Sequence, residues 1–168
     1  MNPEFLREGQ AIEDFMKPDR IVLGGIDERT HQKMTELYLS FSGVDILKTN
    51  NKTAEMVKYF SNTFLAAKVS FANEMKMICD ELNIDYDKVV EYSTYDERLG
   101  KSHWAVPGPD GKLGFGGSCF PKDINALITL SKDMRLYLHT LQSVWKTNLK
   151  VRPEKDWEEL KGRAVTDE

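Results

Sequence analysis

The stretch NKTAEMVKYFSNTFLAAKVSFANEMKMICDEL, Asn51 to Leu82, decides the fold of this chain. Neither glycine nor proline interrupts it, and Asn50 or Asn51 can cap its start. Apolar side chains recur at steps of three and four, the period of one helix face, at Val57, Phe60, Phe64, Ala67, Phe71, Met75, Ile78 and Leu82. A helix of about 32 residues would measure roughly 48 Å at about 1.5 Å per residue. Helices of this length are typical of bundle spines and of dimer interfaces, and the spacing alone leaves both possibilities open.

The residues before this helix have the pattern of a β-α-β unit. Residues 20–24, RIVLG, are predicted to form a buried strand, and residues 44–48 a second short strand. Between them, residues 29–42 are predicted to be helical, with an apolar side formed by Met34, Leu37, Tyr38 and Phe41. Parallel strands joined by a helix imply an α/β sheet. Two strands make a poor sheet by themselves, so we expect the chain to begin in the middle of a domain.

The residues after the long helix are predicted to be helical apart from one long loop. Helices are expected over 86–93, 121–132 and 134–150. The loop from Gly100 to Gly117 is rich in glycine and proline, and loops of this length are more often functional than idle. The fold class is therefore mainly α.

The composition excludes several classes of function. The chain has 168 residues and a formal net charge of −4, which gives no reason to expect nucleic acid or a membrane surface as a partner. No apolar run approaches the roughly 20 residues of a membrane span, and the start lacks the pattern of a signal peptide. Its two cysteines do not form a disulfide pattern, so we expect a cytoplasmic protein. Neither CxxC nor HExxH is present, so we expect no metal site.

The stretch GFGGSCFPKDINAL, residues 114–127, places one of the two cysteines at a predicted helix start. Pro121 suits the first turn of a helix, and the N-terminal end of the dipole favours a thiolate at Cys119. Lys122 adds a cation nearby. The alternative is that Cys119 is a small buried apolar side chain, as free cysteines often are. Cys79, on the apolar stripe of the long helix, is expected to be such a core residue.

Other polar residues allow two interpretations from their spacing alone. Lys58 and Asn62 lie four residues apart, so they share one helix face. Either both side chains point into a cleft, or Lys58 is solvated and Asn62 has no special role. Asp123 either acts in chemistry or compensates the helix dipole. Glu4 and Glu8 form a possible acid–base pair or a solvated one. Arg98, before the long loop, is either a surface charge or an anion-binding residue.

Together these motifs resemble one enzyme family. NPEFLREG near the start, the K-x-x-x-N pair and GFGGSCFPKD occur in the order found in nucleotide-sugar dehydrogenases of the UDP-glucose 6-dehydrogenase and GDP-mannose 6-dehydrogenase type. The resemblance spans about residues 1–150. NPEFLREG is similar to the glucose/mannose branch, and VPGPDGKLGFGGSCFPKD is more similar to the UDP-glucose enzymes.

The resemblance implies a reaction and a role for each motif. A nucleotide sugar, UDP-glucose, would be oxidised twice at C6 to a carboxylate with two NAD⁺, through a thiohemiacetal and a thioester on Cys119. Lys58 would stabilise an oxyanion, and Asn62 and Asp123 would position substrate and water. The remaining implied residues are Glu4 and Glu8 at the reacting sugar, Phe5, Leu6, Phe115, Gly116 and Gly117 at the nucleotide sugar, Lys122 at the cofactor, and Arg98 reaching the neighbouring subunit's substrate. The long helix is similar to the family's dimer spine, so we expect a homodimer through residues 51–82.

The chain departs from the family pattern in two ways. It lacks the G-x-G-x-x-G fingerprint of the family's Rossmann domain and a second nucleotide-binding α/β domain. We therefore expect a Rossmann remnant over 1–48, a central helical dimerisation domain over 49–150 and a charged tail over 151–168. We expect the chain to be inactive by itself. The alternatives are a GDP-mannose enzyme, a non-catalytic dimerisation module, and a subunit complemented by a separate NAD-binding chain.

Overall fold

A computed structural model describes residues 1–7 and 9–160 of the chain. These residues form two compact units, Met1–Ser61 and a second unit that begins at Asn62. The boundary falls inside the longest helix, so each unit contributes part of that helix. The units are defined by packing, and the division into domains at residue 48 stays a prediction.

The first unit contains the predicted β-α-β arrangement. Its elements in chain order are α1 (Ala11–Met16), β1 (Arg20–Gly25), α2 (Glu28–Glu36) and β2 (Asp45–Asn50). The two strands pair in parallel, with Arg20 opposite Asp45 and Gly25 opposite Asn50. Ile21, Val22 and Leu23 of β1 are buried, as a short continuous apolar run predicts. The β-α-β interpretation is confirmed.

Helix α2 is shorter than the residues 29–42 predicted from the sequence. It ends at Glu36, and the predicted core residue Leu37 is 75% exposed. Tyr38 and Phe41 still pack on each other, with ring centroids 5.7 Å apart, because a turn in which the Phe41 N–H donates to Tyr38 O brings them together. The apolar spacing of this segment reflects a turn as well as a helix.

Helix α3 (Asn51–Glu81) forms without interruption, as predicted. The Asn50 side chain caps it by accepting from the Thr53 N–H at 2.9 Å. The helix stops before Asn83, which has a φ of 56°. The side chains that α3 buries in its own chain are mostly small or polar: Ala54, Asn62, Thr63, Ala66, Lys68, Ser70, Ala72, Asn73 and Cys79. Most of the predicted apolar stripe is exposed, including Phe60, Phe64, Phe71, Ile78 and Leu82.

The described residues of the second unit continue with three helices and two 3-10 turns. They are α4 (Tyr86–Ser93), a turn at Glu97–Leu99, α5 (Cys119–Asp133), α6 (His139–Val151) and a turn at Asp156–Glu159. Helix α4 matches the predicted range, but α6 begins five residues after the predicted start at 134. Arg135 takes a φ of 56° and the Leu136 N–H donates to Ser131 O, so this segment is a turn.

Two apolar clusters form the core of the second unit. One contains Ala66, Phe115, Ile124, Ile128 and Val144, and the other contains Ala72, Cys79, Tyr86 and Val106. The first cluster joins α3, α5 and α6 to the loop before Cys119. Among the residues that the structure describes, no helix is both long and apolar enough to cross a bilayer.

Candidate active site

Cys119 is the first residue of α5 and is exposed, so the predicted position at a helix start is confirmed. The alternative, a small apolar side chain in the core, is wrong for this residue. The hydroxyl Oγ of Ser118 lies 3.8 Å from the thiol sulfur. No acidic residue occupies the first turn of α5.

Cys79 has the opposite environment. It is 7% exposed and packs with Ala72, Tyr86 and Val106, so its prediction as a core residue is confirmed. The Tyr86 hydroxyl donates to Trp104 O at 2.7 Å. Burial, with smaller effects from Asp87 and Cys79, raises the pKa of Tyr86 to about 12. The two thiols of the chain therefore differ in access to solvent.

The carboxylate of Asp123 is buried and has two partners. Asp123 is 2% exposed, and its Oδ2 accepts a hydrogen bond from Asn62 Nδ2 at 2.6 Å. Its Oδ1 forms an ion pair with Lys122 Nζ. Asp123 lies beyond the first turn of α5, and its contacts are to side chains, so dipole compensation does not describe it. Two residues that the sequence placed in a candidate site, Asn62 and Asp123, are therefore in direct contact.

The glycine loop before Cys119 is held by two buried asparagines that the sequence analysis missed. The Phe115 N–H donates to Asn148 Oδ1 at 2.8 Å, and Asn148 Nδ2 donates to Phe115 O at 2.9 Å. The Gly114 N–H donates to Asn73 Oδ1 at 3.1 Å. Since a buried asparagine and an exposed one look alike in a sequence, no local signal points to Asn73 or Asn148.

Two glycines of this loop lie close to other parts of their own unit. Gly114 has a φ of +66°, and a Cβ there would lie 3.0 Å from Val151 Cγ2. A Cβ at Gly116 would lie 2.7 Å from Asp156 Oδ1. Glycine has no Cβ, so its backbone can come close to a neighbouring group. At these two positions the close approach is to the end of α6 and the turn that follows it.

Arg152, at the end of α6, joins three segments of the second unit. It is 2% exposed and donates to Asp156 at 2.7 Å, to Asp110 at 2.6 Å and to Leu113 O at 3.3 Å. The hydrogen bonds and charges of both aspartates raise the pKa of Arg152 against the effect of its burial. The hydrogen bond from Arg152 lowers the pKa of Asp156. At Asp110 burial has the largest effect and opposes ionisation, but Arg152 and the Lys112 N–H outweigh it and lower the pKa.

In the first unit, the segment from Glu4 to Leu6 contacts Lys58. Lys58 Nζ donates to Glu4 O, and the Phe5 ring has Lys58 Nζ 5.6 Å from its centroid. The Arg20 guanidinium lies 4.1 Å from the same centroid. Sequence reasoning missed Arg20, because a cation–π contact between residues 15 positions apart has no local signature. Leu6 is half-buried.

Of the remaining predicted site residues, Arg98 and Gly117 lie in the second unit. Arg98 is exposed and ion-paired with Asp96 of its own turn at 2.5 Å. Hydrogen bonds from Arg98 lower the pKa of Asp96. Gly117 is half-buried with a φ of 65°. Glu8 lies outside the described residues. The predicted proximity of Cys119 to Lys58 stays a prediction.

Two family models match the chain. The model for the UDP-glucose/GDP-mannose dehydrogenase family, central domain, matches residues 52–150. The model for the NAD binding domain of the same family matches residues 1–42.

Individual proteins of this kind are similar to the chain over most of its length. The UDP-glucose 6-dehydrogenase YwqF of Bacillus subtilis is 44% identical over 147 residues, which are 88% of this chain and 32% of that protein. A UDP-glucose dehydrogenase structure from Pyrobaculum islandicum is 42% identical with a TM-score of 0.81, covering 89% of this chain and 33% of that one. A GDP-mannose dehydrogenase structure from Pseudomonas aeruginosa is 35% identical with a TM-score of 0.56, covering 89% of this chain and 34% of that one. The chain spans about a third of the length of these relatives.

Proposed function

The chain belongs to the UDP-glucose/GDP-mannose dehydrogenase family, and from this premise we propose that it carries the catalytic cysteine of a UDP-glucose 6-dehydrogenase. The proposed overall reaction converts UDP-glucose, two NAD⁺ and water into UDP-glucuronate, two NADH and three protons. The observation that carries the proposal is the exposed thiol of Cys119 at the start of α5, in the same helix as the buried Asp123.

Cys119 acts on the aldehyde that the first oxidation leaves at C6. Its sulfur forms a bond to the aldehyde carbon, and the oxygen takes up a proton, which gives a thiohemiacetal. Loss of a hydride from that carbon and of the hydroxyl proton gives a thioester. Water then adds to the thioester carbon, the carbon–sulfur bond breaks, and the carboxylate leaves with the thiol restored. An accessible thiol is necessary for the first of these steps, and Cys119 is accessible.

Asp123 and Asn62 position polar groups during these steps. A carboxylate that is 2% exposed, with one oxygen bonded to Asn62 and the other to Lys122, holds a fixed orientation. We assign to this pair the orientation of the sugar and of the water that hydrolyses the thioester. The cofactor role of Lys122 remains part of the proposal, and its ion pair with Asp123 gives it a second task.

The residues of the first unit keep the roles that the family resemblance gives them. Lys58 is assigned to the oxyanion, and its amine already lies against the Glu4 backbone. Glu4 and Glu8 are assigned to the reacting sugar, and the Phe5–Leu6 backbone to the nucleotide sugar. The observation that favours these assignments is the contact of Lys58 with both Glu4 and Phe5.

NAD⁺, when bound, would supply the hydride acceptor of the proposed reaction. The glycines at the end of β1 do not form a cradle for its pyrophosphate. A Cβ at Gly24 would lie 2.8 Å from Ala54 Cβ, and one at Gly25 would lie 2.7 Å from the His31 ring. Because side chains of the chain itself fill the space beside both glycines, we derive no hydride step from the residues of the first unit.

The proposal includes a homodimer formed through α3. Phe64, Phe71, Ile78 and Leu82 are between 50% and 61% exposed and recur along the helix at steps of seven and four. A continuous apolar stripe of this kind is a typical oligomer interface, and its helical repeat suits a second copy of the same helix. In the dimer, Arg98 would contribute to the substrate site of the neighbouring subunit.

Protection of Cys119 from alkylation tests the proposal on the chain itself. The Cys79→Ala variant has one remaining thiol, whose reaction with iodoacetamide is followed by mass spectrometry. UDP-glucose is expected to slow this reaction several-fold, and GDP-mannose at the same concentration is expected to slow it less. If UDP-glucose and GDP-mannose protect Cys119 equally, the result would favour GDP-mannose as a second substrate. Alkylation that proceeds at one rate with and without UDP-glucose would contradict the proposed substrate site.

A further inference from the structure

We propose that Asn148 is a positioning residue that orients the Gly116 N–H, in the loop before Cys119, as a hydrogen-bond donor to an oxygen of the nucleotide sugar. The inference rests on the proposed function and adds a residue outside the motifs that carry the family resemblance. Asn148 lies on α6, and its side chain is 0% exposed.

Asn148 uses both polar atoms of its amide on one residue of the loop. Its Oδ1 accepts from the Phe115 N–H at 2.8 Å and its Nδ2 donates to Phe115 O at 2.9 Å. A buried amide with two such bonds fixes the direction of both backbone groups, because breaking either bond leaves a buried polar atom unpaired. The Phe115 side chain is itself 5% exposed in the core, which anchors the same residue from its other end.

The direction of Phe115 O determines the direction of the next N–H. In a trans peptide, the C=O of one residue and the N–H of the following residue lie in one plane and point in opposite directions. Since Phe115 O points at Asn148, the Gly116 N–H points away from Asn148. The asparagine therefore sets the orientation of a donor that it does not contact.

The neighbouring backbone groups are already used inside the chain. The Gly114 N–H is bound by Asn73 Oδ1, and Leu113 O accepts from Arg152. The Phe115 N–H is bound by Asn148. Of the three loop residues assigned to the nucleotide sugar, Phe115 therefore has its N–H committed internally. This leaves Gly116 as the loop donor whose orientation Asn148 controls.

Two variants separate this role from a general contribution to stability. Asn148→Leu keeps a similar volume and removes both hydrogen bonds. Asn148→Asp keeps the acceptor, and its carboxyl group can donate to Phe115 O only when it is protonated. Val144→Ala is the control. Val144 lies one turn before Asn148 on α6 and packs in the apolar cluster that contains Phe115, but its side chain cannot form a hydrogen bond to the loop.

The experiment uses the whole chain with the Cys79→Ala background and two measurements. The first is the UDP-glucose concentration that halves the alkylation rate of Cys119, measured from pH 5 to pH 9. The second is amide hydrogen exchange at Phe115 and Gly116. Asn148→Leu is expected to raise the half-protecting concentration about tenfold, which is typical of one lost hydrogen bond. Val144→Ala is expected to change it less than about twofold.

The Asn148→Asp variant is expected to behave like the parent at low pH and like Asn148→Leu at high pH. The Phe115 amide is expected to exchange slowly in the parent and the Gly116 amide rapidly. A half-protecting concentration for Asn148→Leu that equals the value for Val144→Ala would overturn the inference. If Asn148→Leu does not fold, the pH dependence of Asn148→Asp decides alone, and a flat profile overturns it.

Failure of the proposed function has a different signature. In that case UDP-glucose does not protect Cys119 in the parent chain at any concentration. Amide exchange then decides the inference by itself: a Gly116 rate that differs between the parent and Asn148→Asp supports the orienting role, and an unchanged rate overturns it.

Discussion

The two sides of α3 differ in side-chain size and exposure, and the amphipathic pattern of its sequence does not predict which side is buried. The side that faces the core of the second unit is small or polar, with Ala66 and Ala72 at 0% exposure and Asn73 at 3%. The opposite side has large apolar residues, of which Phe64 is 58% exposed and Phe71 is 51% exposed. The helix thus buries its small side and exposes its bulky one.

This difference teaches that apolar periodicity predicts a helix but not the partner of its apolar side. Small side chains let α3 pack closely on its own chain, where Ser70 Oγ donates to Val144 O of α6 at 3.1 Å. Burial of a Phe side chain is worth about 1.5–3 kcal/mol, so the exposed stripe forgoes that stabilisation within one chain. A second copy of the helix would recover it.

A charge on the inner side is expected to have the largest effect. Ala66→Asp places a carboxylate at a fully buried position next to Phe115 and Ile124. The residues of this cluster are apolar, so we expect the buried charge to cost more than about 4 kcal/mol and to unfold the chain. Thermal unfolding followed by circular dichroism measures the loss. A melting temperature equal to that of the parent would show that this side is not the core side.

Aspartate introduced two residues earlier, at position 64, is expected to weaken the association of two copies of the chain. Phe64→Asp puts the carboxylate on the exposed side, where it stays hydrated in the monomer but would be buried in the dimer. We expect the dimer dissociation constant to rise about 100-fold or more, with little change in circular dichroism. Sedimentation equilibrium provides the test. A dimer of unchanged affinity would remove α3 from the interface.

Removal of a polar group from the inner side is expected to have an intermediate effect. Asn73→Ala deprives the Gly114 N–H of its acceptor and removes a bond from Asn73 Nδ2 to Val69 O. A buried N–H without a partner costs about 1–3 kcal/mol. Urea denaturation measures the free energy of unfolding, with Glu74→Gln, an exposed neighbour, as the control. Equal values for the two variants would show that Asn73 does not hold the loop.

The smallest effect is expected at Lys68, a buried cation that lies between Phe64 and Phe71 in the sequence of α3. Its Nζ donates to Leu99 O at 2.9 Å and lies 4.6 Å from the Trp104 ring centroid. Burial lowers the pKa of Lys68, so the ammonium loses its proton at a lower pH in the folded state than in the unfolded state. The free energy of unfolding therefore rises with pH as the pH approaches the pKa of an unfolded lysine, near 10.4. Lys68→Met is expected to change the free energy of unfolding by less than about 1 kcal/mol at pH 7.

The pH dependence gives this prediction its control. Urea denaturation at pH 7 and pH 9.5 is expected to show a smaller rise for Lys68→Met than for the parent. The exposed Lys52→Met is expected to keep the parent's rise. A rise of the same size in Lys68→Met would place the origin of the pH dependence in another residue.

Local patterns predicted most of the secondary structure. The extent of α4, the continuity of α3 and the parallel pairing of β1 with β2 follow from spacing, caps and turn residues. The end of α2 and the start of α6 were harder to predict. The turn at Arg135, whose φ of 56° is unusual for a residue other than glycine, delays α6 and has no signature in its side chain.

The candidate site could be predicted only in part. The glycine–cysteine–proline order was sufficient to place Cys119 at a helix start, and the position of Cys79 on an apolar stripe was sufficient to bury it. Asn148 and Arg152 were missed because their loop partners Phe115 and Asp110 lie 33 and 42 residues away in the sequence. Contacts of that range depend on how helices pack, and a single sequence gives no measure of that packing.

The most direct test of the central claim, that Cys119 is the nucleophile of a nucleotide-sugar dehydrogenase, is NADH formation by a graft. In this graft, the matching segment of this chain replaces the 147 aligned residues of the Bacillus subtilis UDP-glucose 6-dehydrogenase YwqF. The graft and its Cys79→Ala variant are expected to form two NADH per UDP-glucose, and Cys119→Ala is expected to lose that yield. A Cys119→Ala graft that still forms two NADH per UDP-glucose would contradict the account.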